Sequence, residues 1–100
     1  MKHKLRWTER SRLDLLEIGR FIARDKPEAA RRWVARLRKR ARQAAEFPES
    51  GRLVPELGRE GIREVVERGY RIVYRIVDRE VHVVTVFESH RLLRVAEFEE

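Results

Sequence analysis

Arginines, whose guanidinium groups favour bidentate contacts to phosphate or carboxylate, recur in the run Tyr70-Arg71-Ile72-Val73-Tyr74-Arg75-Ile76-Val77. Side chains alternate along a strand, so Tyr70, Ile72, Tyr74 and Ile76 fall on one face and Arg71, Val73, Arg75 and Val77 on the other. The tyrosine face is expected to pack on a core. The arginine face is expected to open to solvent, with Arg63 on a flanking strand and His90-Arg91 past the last strand as neighbours. That arrangement makes a concave basic surface, or an ordinary half-exposed sheet whose arginines pair with Glu64, Glu67 or Glu88 across strands. His90 is the candidate for acid–base work, since an unperturbed imidazole titrates near pH ~6.5. His82 alternates with apolar neighbours and reads as structural. No phosphate-cradling glycine loop, no Ser/His/Asp constellation and no close pair of metal ligands accompanies them, so neither a metal nor a cofactor is expected.

The elements that must position these residues follow in order. Lys4-Leu5-Arg6-Trp7 alternates as a short strand, and Thr8 is a helix N-cap with Glu9 in the first turn. From Glu9 to Arg24, Leu13, Leu15, Leu16, Ile18, Phe21 and Ile22 recur at helical spacing. Asp25-Lys26-Pro27-Glu28 stops this helix and starts another, which runs to about Glu46 with Ala30, Trp33, Val34, Leu37, Ala41 and Ala44 as its apolar stripe. Its other arc carries Arg31, Arg32, Arg36, Arg38, Lys39, Arg40 and Arg42. Such a run marks either a solvated helix face or a nucleic-acid stripe, and it lacks interleaved aromatics that would stack on bases. Between Phe47 and Gly61 two of the three prolines and three of the five glycines interrupt regular structure. Three strand-type runs follow, Ile62 to Glu67, Tyr70 to Val77 and Val81 to Phe87, with turns short enough to make antiparallel neighbours. Residues 91–100 show no readable pattern. The expected fold class is α+β: an N-terminal strand and an antiparallel helical hairpin packed on a small antiparallel β-sheet, in a single domain over residues 1–100.

Composition limits the function classes. One hundred residues sustain a single core. The absence of cysteine excludes a disulfide framework and fits a reducing cytoplasm. There is no secretory signal at the N-terminus and no segment of roughly 20 apolar residues, so no membrane partner is expected. The net charge is +7, and residues 1–50 hold fifteen Lys and Arg against seven Asp and Glu while residues 51–100 hold nine against ten. The basic excess in the first half points to an acidic partner, whether nucleic acid, a nucleoprotein machine or an acidic protein.

Arg6-Trp7-Thr8 entering a helix with Asp14-Leu15, Pro48-Glu49-Ser50-Gly51-Arg52, Ile62-Arg63-Glu64-Val65, the Tyr70–Arg75 strand and Phe87-Glu88-Ser89-His90-Arg91 together resemble the RelE/ParE toxin superfamily, most closely its ParE branch of plasmid stabilization proteins. The resemblance implies the toxin half of a type II toxin–antitoxin pair, with a cognate antitoxin whose C-terminal segment lies along the helical hairpin and the sheet. It makes Leu13, Ile22, Trp33 and Leu37 candidates for that contact. Two activities occur in the superfamily, mRNA cleavage in the ribosome by RelE-type members and inhibition of DNA gyrase by ParE-type members. If the chain is a ribonuclease, Arg71 and Arg91 match arginines used on the phosphate, Arg63 stands near an expected strand lysine, and His90 is left to stand in for an absent tyrosine hydroxyl. Ala96-Glu97-Phe98 replaces that tyrosine. The incomplete acid–base set favours gyrase inhibition by binding, through Arg71, Arg75 and Arg91 or through the helix.

Overall fold

The computed structural model describes residues 3–90. Among them a five-stranded sheet, β1 (Lys4–Trp7), β2 (Arg52–Leu53), β3 (Ile62–Glu67), β4 (Tyr70–Val77) and β5 (Glu80–Glu88), is ordered β1-β5-β4-β3-β2. Two helices, α1 (Glu9–Ala23) and α2 (Pro27–Glu46), form a hairpin against one of its faces. The α+β class and the elements expected from periodicity are those observed. The sheet differs in two details. Its β1 edge pairs parallel with β5, whereas the other pairs are antiparallel, and the loop after α2 contains a 3-10 turn (Pro48–Ser50) and the two-residue strand β2.

Local chemistry accounts for the boundaries. The Thr8 hydroxyl accepts the Ser11 backbone N–H at 3.1 Å, capping α1, and also lies 2.9 Å and 3.1 Å from the carbonyls of Val83 and Val84, so one side chain both starts the helix and ties it to β5. Pro27 opens α2 at a position where its missing N–H costs nothing. Arg68 and Gly69, with φ of 42° and 92°, make the two-residue turn that matches the twist of the β3–β4 hairpin. A register shift between Val73 and Tyr74, opposite Val83 to Thr85, bulges β5. Beside it the Thr85 hydroxyl and the Val86 N–H both donate to the Asp14 carboxylate of α1, at 2.6 Å and 3.1 Å.

Each face of the sheet carries an apolar cluster. Leu15, Leu37, Ala41, Ala44 and Ala45 from the helices meet Val65, Ile72, Tyr74, Val81, Val83 and Val86, which is the side predicted for the tyrosine register of β4. On the reverse face Val54, Ile62, Val73 and Phe87 form a second, smaller cluster with Leu57 and Val84. The alanines of α2 let that helix lie close to the strands, and the bulk is supplied from the sheet. Burial holds the Tyr74 phenol above its ordinary pKa, and its hydroxyl donates to the Pro48 carbonyl at 2.5 Å. That contact seats the loop on the sheet, and Gly51 is part of the seat. A Cβ at Gly51 would lie 2.2 Å from the Tyr74 oxygen and 2.8 Å from the Glu64 carbonyl. Gly51→Ala is therefore expected to destabilise the fold by about 3 kcal/mol, the upper part of the usual overpacking range, read as a lower urea midpoint at unchanged slope.

Candidate functional site

Arg71 is the side chain from which the site is built, and it does not face solvent. β4 directs it to the reverse face, where it is 4% exposed. Its Nε donates to Glu64 at 2.7 Å, and its two terminal nitrogens donate to the two oxygens of Glu56, each at 2.7 Å. The guanidinium also lies 4.9 Å from the centre of the Phe87 ring. Glu64 is itself completely buried, and its second oxygen accepts from Arg52 Nε at 2.6 Å. The register explains the pairing, since Glu64 opposes Val73 and Val66 opposes Arg71, which puts Glu64 and Arg71 diagonally on one face. Glu56 arrives from a turn in which the N–H groups of Leu57 and Gly58 donate to the Val54 carbonyl at 3.0 Å and 2.8 Å. The carboxylate of Glu56 first, then that of Glu64, raises the Arg71 pKa against the opposing effect of burial.

The expectation of an open platform of outward arginines is thus corrected. The apolar residues Val54 and Leu57 cover the sheet beside Val73, and two carboxylates occupy the guanidinium that the platform was to present. Arg75 is only partly exposed, beside Ile62 and His82 in the register. The expected grouping of Arg63 with these residues is also corrected. Arg63 pairs with Tyr74, so it points to the helix side, and it donates to the Gly51 carbonyl at 2.8 Å. His90 is exposed in the turn after β5, 3.5 Å from Glu88, in a cleft of about 450 Å³ that Asp14, Glu17, Phe21 and Tyr70 also line. In that cleft burial, then the charge of Glu88, raises the Tyr70 pKa. Arg91 lies outside the described residues. The residues expected to share phosphate chemistry are therefore distributed over two faces of the sheet and a terminal turn. Sequence reasoning missed Glu56, because nothing in a loop of irregular spacing fixes which carboxylate folds back over β4. It also missed the edge trio in which Glu80 accepts from Arg6 at 3.1 Å and lies 2.7 Å from His82, contacts that lower the Glu80 pKa.

A second feature lies on the outside of the hairpin. A groove of about 690 Å³ runs between α1 and α2, floored by Leu13, Leu16, Gly19, Ala23, Val34 and Ala35 and flanked by Arg12, Arg20, Arg31 and Arg38. It exists because α1 has apolar residues on two arcs. Leu15 and Ile18 pack on the sheet-side core, while Leu13 and Leu16 remain 52% and 48% exposed. Gly19 lets the helices approach, since a Cβ there would meet Val34 at 3.2 Å. Of the four apolar residues expected at a partner surface, Leu13 lines this groove and Ile22 and Trp33 do not. Trp33 packs edge-on against Tyr70 at 5.7 Å. Leu37 is fully buried in the core between the helices and the sheet.

The caged arginine yields a prediction. Glu64→Ala removes a desolvated carboxylate shared by two arginines, and the expected loss is at the low end of the roughly 3–5 kcal/mol typical of broken buried pairs, because Glu56 remains on Arg71. Glu80→Gln, at the exposed edge trio, is expected to leave the denaturant midpoint nearly unchanged.

Comparison with known proteins places this geometry. Residues 5–93 match the model of a family described as the ParE toxin of the type II toxin–antitoxin system, parDE. Toxin RelE2 of Caulobacter vibrioides is 40% identical over 86 residues, covering 86% of this chain and 94% of that protein. Among solved structures, the chromosomal ParDE toxin–antitoxin system of P. aeruginosa superposes with a TM-score of 0.74 at 20% identity, covering 87% of this chain and 96% of that one. The RelBE2 toxin–antitoxin complex of Mycobacterium tuberculosis superposes at 0.67 with 24% identity, covering 91% and 95%.

Proposed function

We propose that this chain, which belongs to the ParE toxin family of type II toxin–antitoxin systems, acts stoichiometrically, by binding DNA gyrase and stabilising its complex with cleaved DNA. The observation that carries this reading over mRNA cleavage is the state of Arg71. Cleavage at a 2′-hydroxyl needs a base, an acid, and cations free to receive charge on the phosphorane-like transition state. A guanidinium already bound by both oxygens of Glu56 and by Glu64 has no donor edge left for a phosphate. Arg63 is on the other side of the sheet, and His90 stands in a separate cleft. Binding requires none of these groups to converge. The similarity to a toxin named RelE2 keeps ribosome-dependent mRNA cleavage as the second reading.

The hairpin groove is the proposed seat of the cognate antitoxin. Its apolar floor and four arginines suit an amphipathic acidic segment that orders on binding, with leucine burial and charge pairing offsetting the entropy lost. Trp33 and Ile22 are left outside that contact, and no helix among the described residues is long and apolar enough to cross a membrane.

Two assays test the reading. Purified toxin titrated into a gyrase supercoiling reaction is expected to block supercoiling near one equivalent and to accumulate cleaved plasmid. Untouched supercoiling at excess, with cutting of ribosome-bound mRNA, would establish the second reading instead. For the groove, the double substitution Leu13→Glu and Leu16→Glu is expected to weaken antitoxin affinity at least ~10-fold, given about 1.5–3 kcal/mol per buried leucine, while the unfolding midpoint of the free toxin stays close to the parent.

A further inference from the structure

The basic residues of α2 divide into two flanks with different surroundings. Arg31 and Arg38 stand over the hairpin groove, among exposed apolar side chains. Arg32, Arg36 and Lys39 recur at intervals of four and three residues on the opposite flank, all exposed and none of them lining the groove. Among the described residues no carboxylate lies within ion-pair distance of these three. The nearby Arg40 reaches Glu67 at 4.0 Å, and Arg36 additionally lies 5.5 Å from the centre of the Trp33 ring. The helix holds seven Lys and Arg against Glu28 and Glu46, which sit at its two ends. The three cations project from about 10 Å of helix axis, at ~1.5 Å per residue.

We infer that this outer flank of α2, centred on Arg32, Arg36 and Lys39, binds the phosphate backbone of duplex DNA. A protein partner is the poorer fit, because the flank lacks the exposed leucines that floor the groove, and its half-buried Trp33 is already packed against Tyr70 and Arg36. A single strand is also the poorer fit. The one aromatic at hand, Trp33, is half-buried and already engaged by Tyr70, so no ring is free to stack on a base. A row of cations without carboxylate partners suits a ligand of dense, regular negative charge, and duplex DNA presents one charge per ~1.7 Å of axis. The flank faces away from the groove, so it stays accessible when the groove is filled. It contacts backbone only, so it confers no sequence preference.

The test uses the full chain and a labelled mixed-sequence DNA duplex, with no gyrase present, so it stands or falls separately from the target proposed above. Fluorescence anisotropy is expected to show binding that weakens with salt. The triple variant R32Q/R36Q/K39Q is expected to lower the slope of log affinity against log salt by about 2.7, the value for three phosphate contacts, so that the parent's extra loss between about 50 and 200 mM salt is roughly 40-fold. R31Q/R38Q is the control on the groove flank and is expected to change the slope by less than the triple variant does. Circular dichroism of each variant reports that the exposed substitutions leave the fold intact. The inference is overturned by absence of duplex binding at low salt, by a triple variant with the parent's slope, by a larger effect of R31Q/R38Q, by tighter binding of a single-stranded RNA of equal length, or by displacement of the duplex by an acidic peptide at equal charge concentration.

Discussion

A carboxylate with no access to water sits between two guanidinium groups at the centre of the reverse face of the sheet. Desolvating Glu64 is costly unless its lone pairs are filled, and Arg52 and Arg71 fill them. Arg71 in turn requires Glu56, and Glu56 requires the turn at Val54 to lie across β4. The chain of dependencies converts an irregular segment into a lid with one seating. It also covers part of the reverse face, so that a 100-residue chain with an alanine-lined helix face obtains a second apolar cluster around Val73 and Phe87. The loop is anchored twice more from the helix side, by Tyr74 to Pro48 and by Arg63 to Gly51.

Surface chemistry is consequently displaced to the helices. With Arg71 caged, the accessible cations concentrate on α2 and along the groove, and Leu13 and Leu16 are exposed on α1. Leu13 and Leu16 would be ill placed in a helix that served only as packing. Their exposure beside Arg12 and Arg20 is consistent with a hairpin that has a structural inner face and an interactive outer one.

Much of this was legible in the sequence, for reasons that differ from element to element. Alternation along Tyr70 to Val77 was legible because a strand has only two faces, and Ile72 and Tyr74 are where that rule puts them. Thr8 was legible as a cap because few side chains can bind the N-terminal amides of a helix. The covering of the arginine face was not. Alternation says which way Arg71 points and nothing about what lies over it, and Glu56 is fifteen residues away in a segment without period. Likewise the six apolar residues of α1 exceed what one face can hold. That surplus was the available signal for the outer groove, and a single stripe hid it by treating Leu13 and Leu16 as equivalent to Leu15. The parallel pairing of β1 was invisible for a simpler reason, since a four-residue strand carries no information about its partner's direction.

That pairing joins the two ends of the described chain. Leu5 and Trp7 stand opposite Val81 and Val83, and Thr8 reaches the same strand. β1 has no partner strand until β5 is made, which at roughly 5–20 residues per second leaves it waiting for several seconds. Contacts of such long sequence separation also slow the folding transition itself. During synthesis α1 and α2 therefore precede the strands that cover their apolar face, and the β1 edge of the sheet is the last to close.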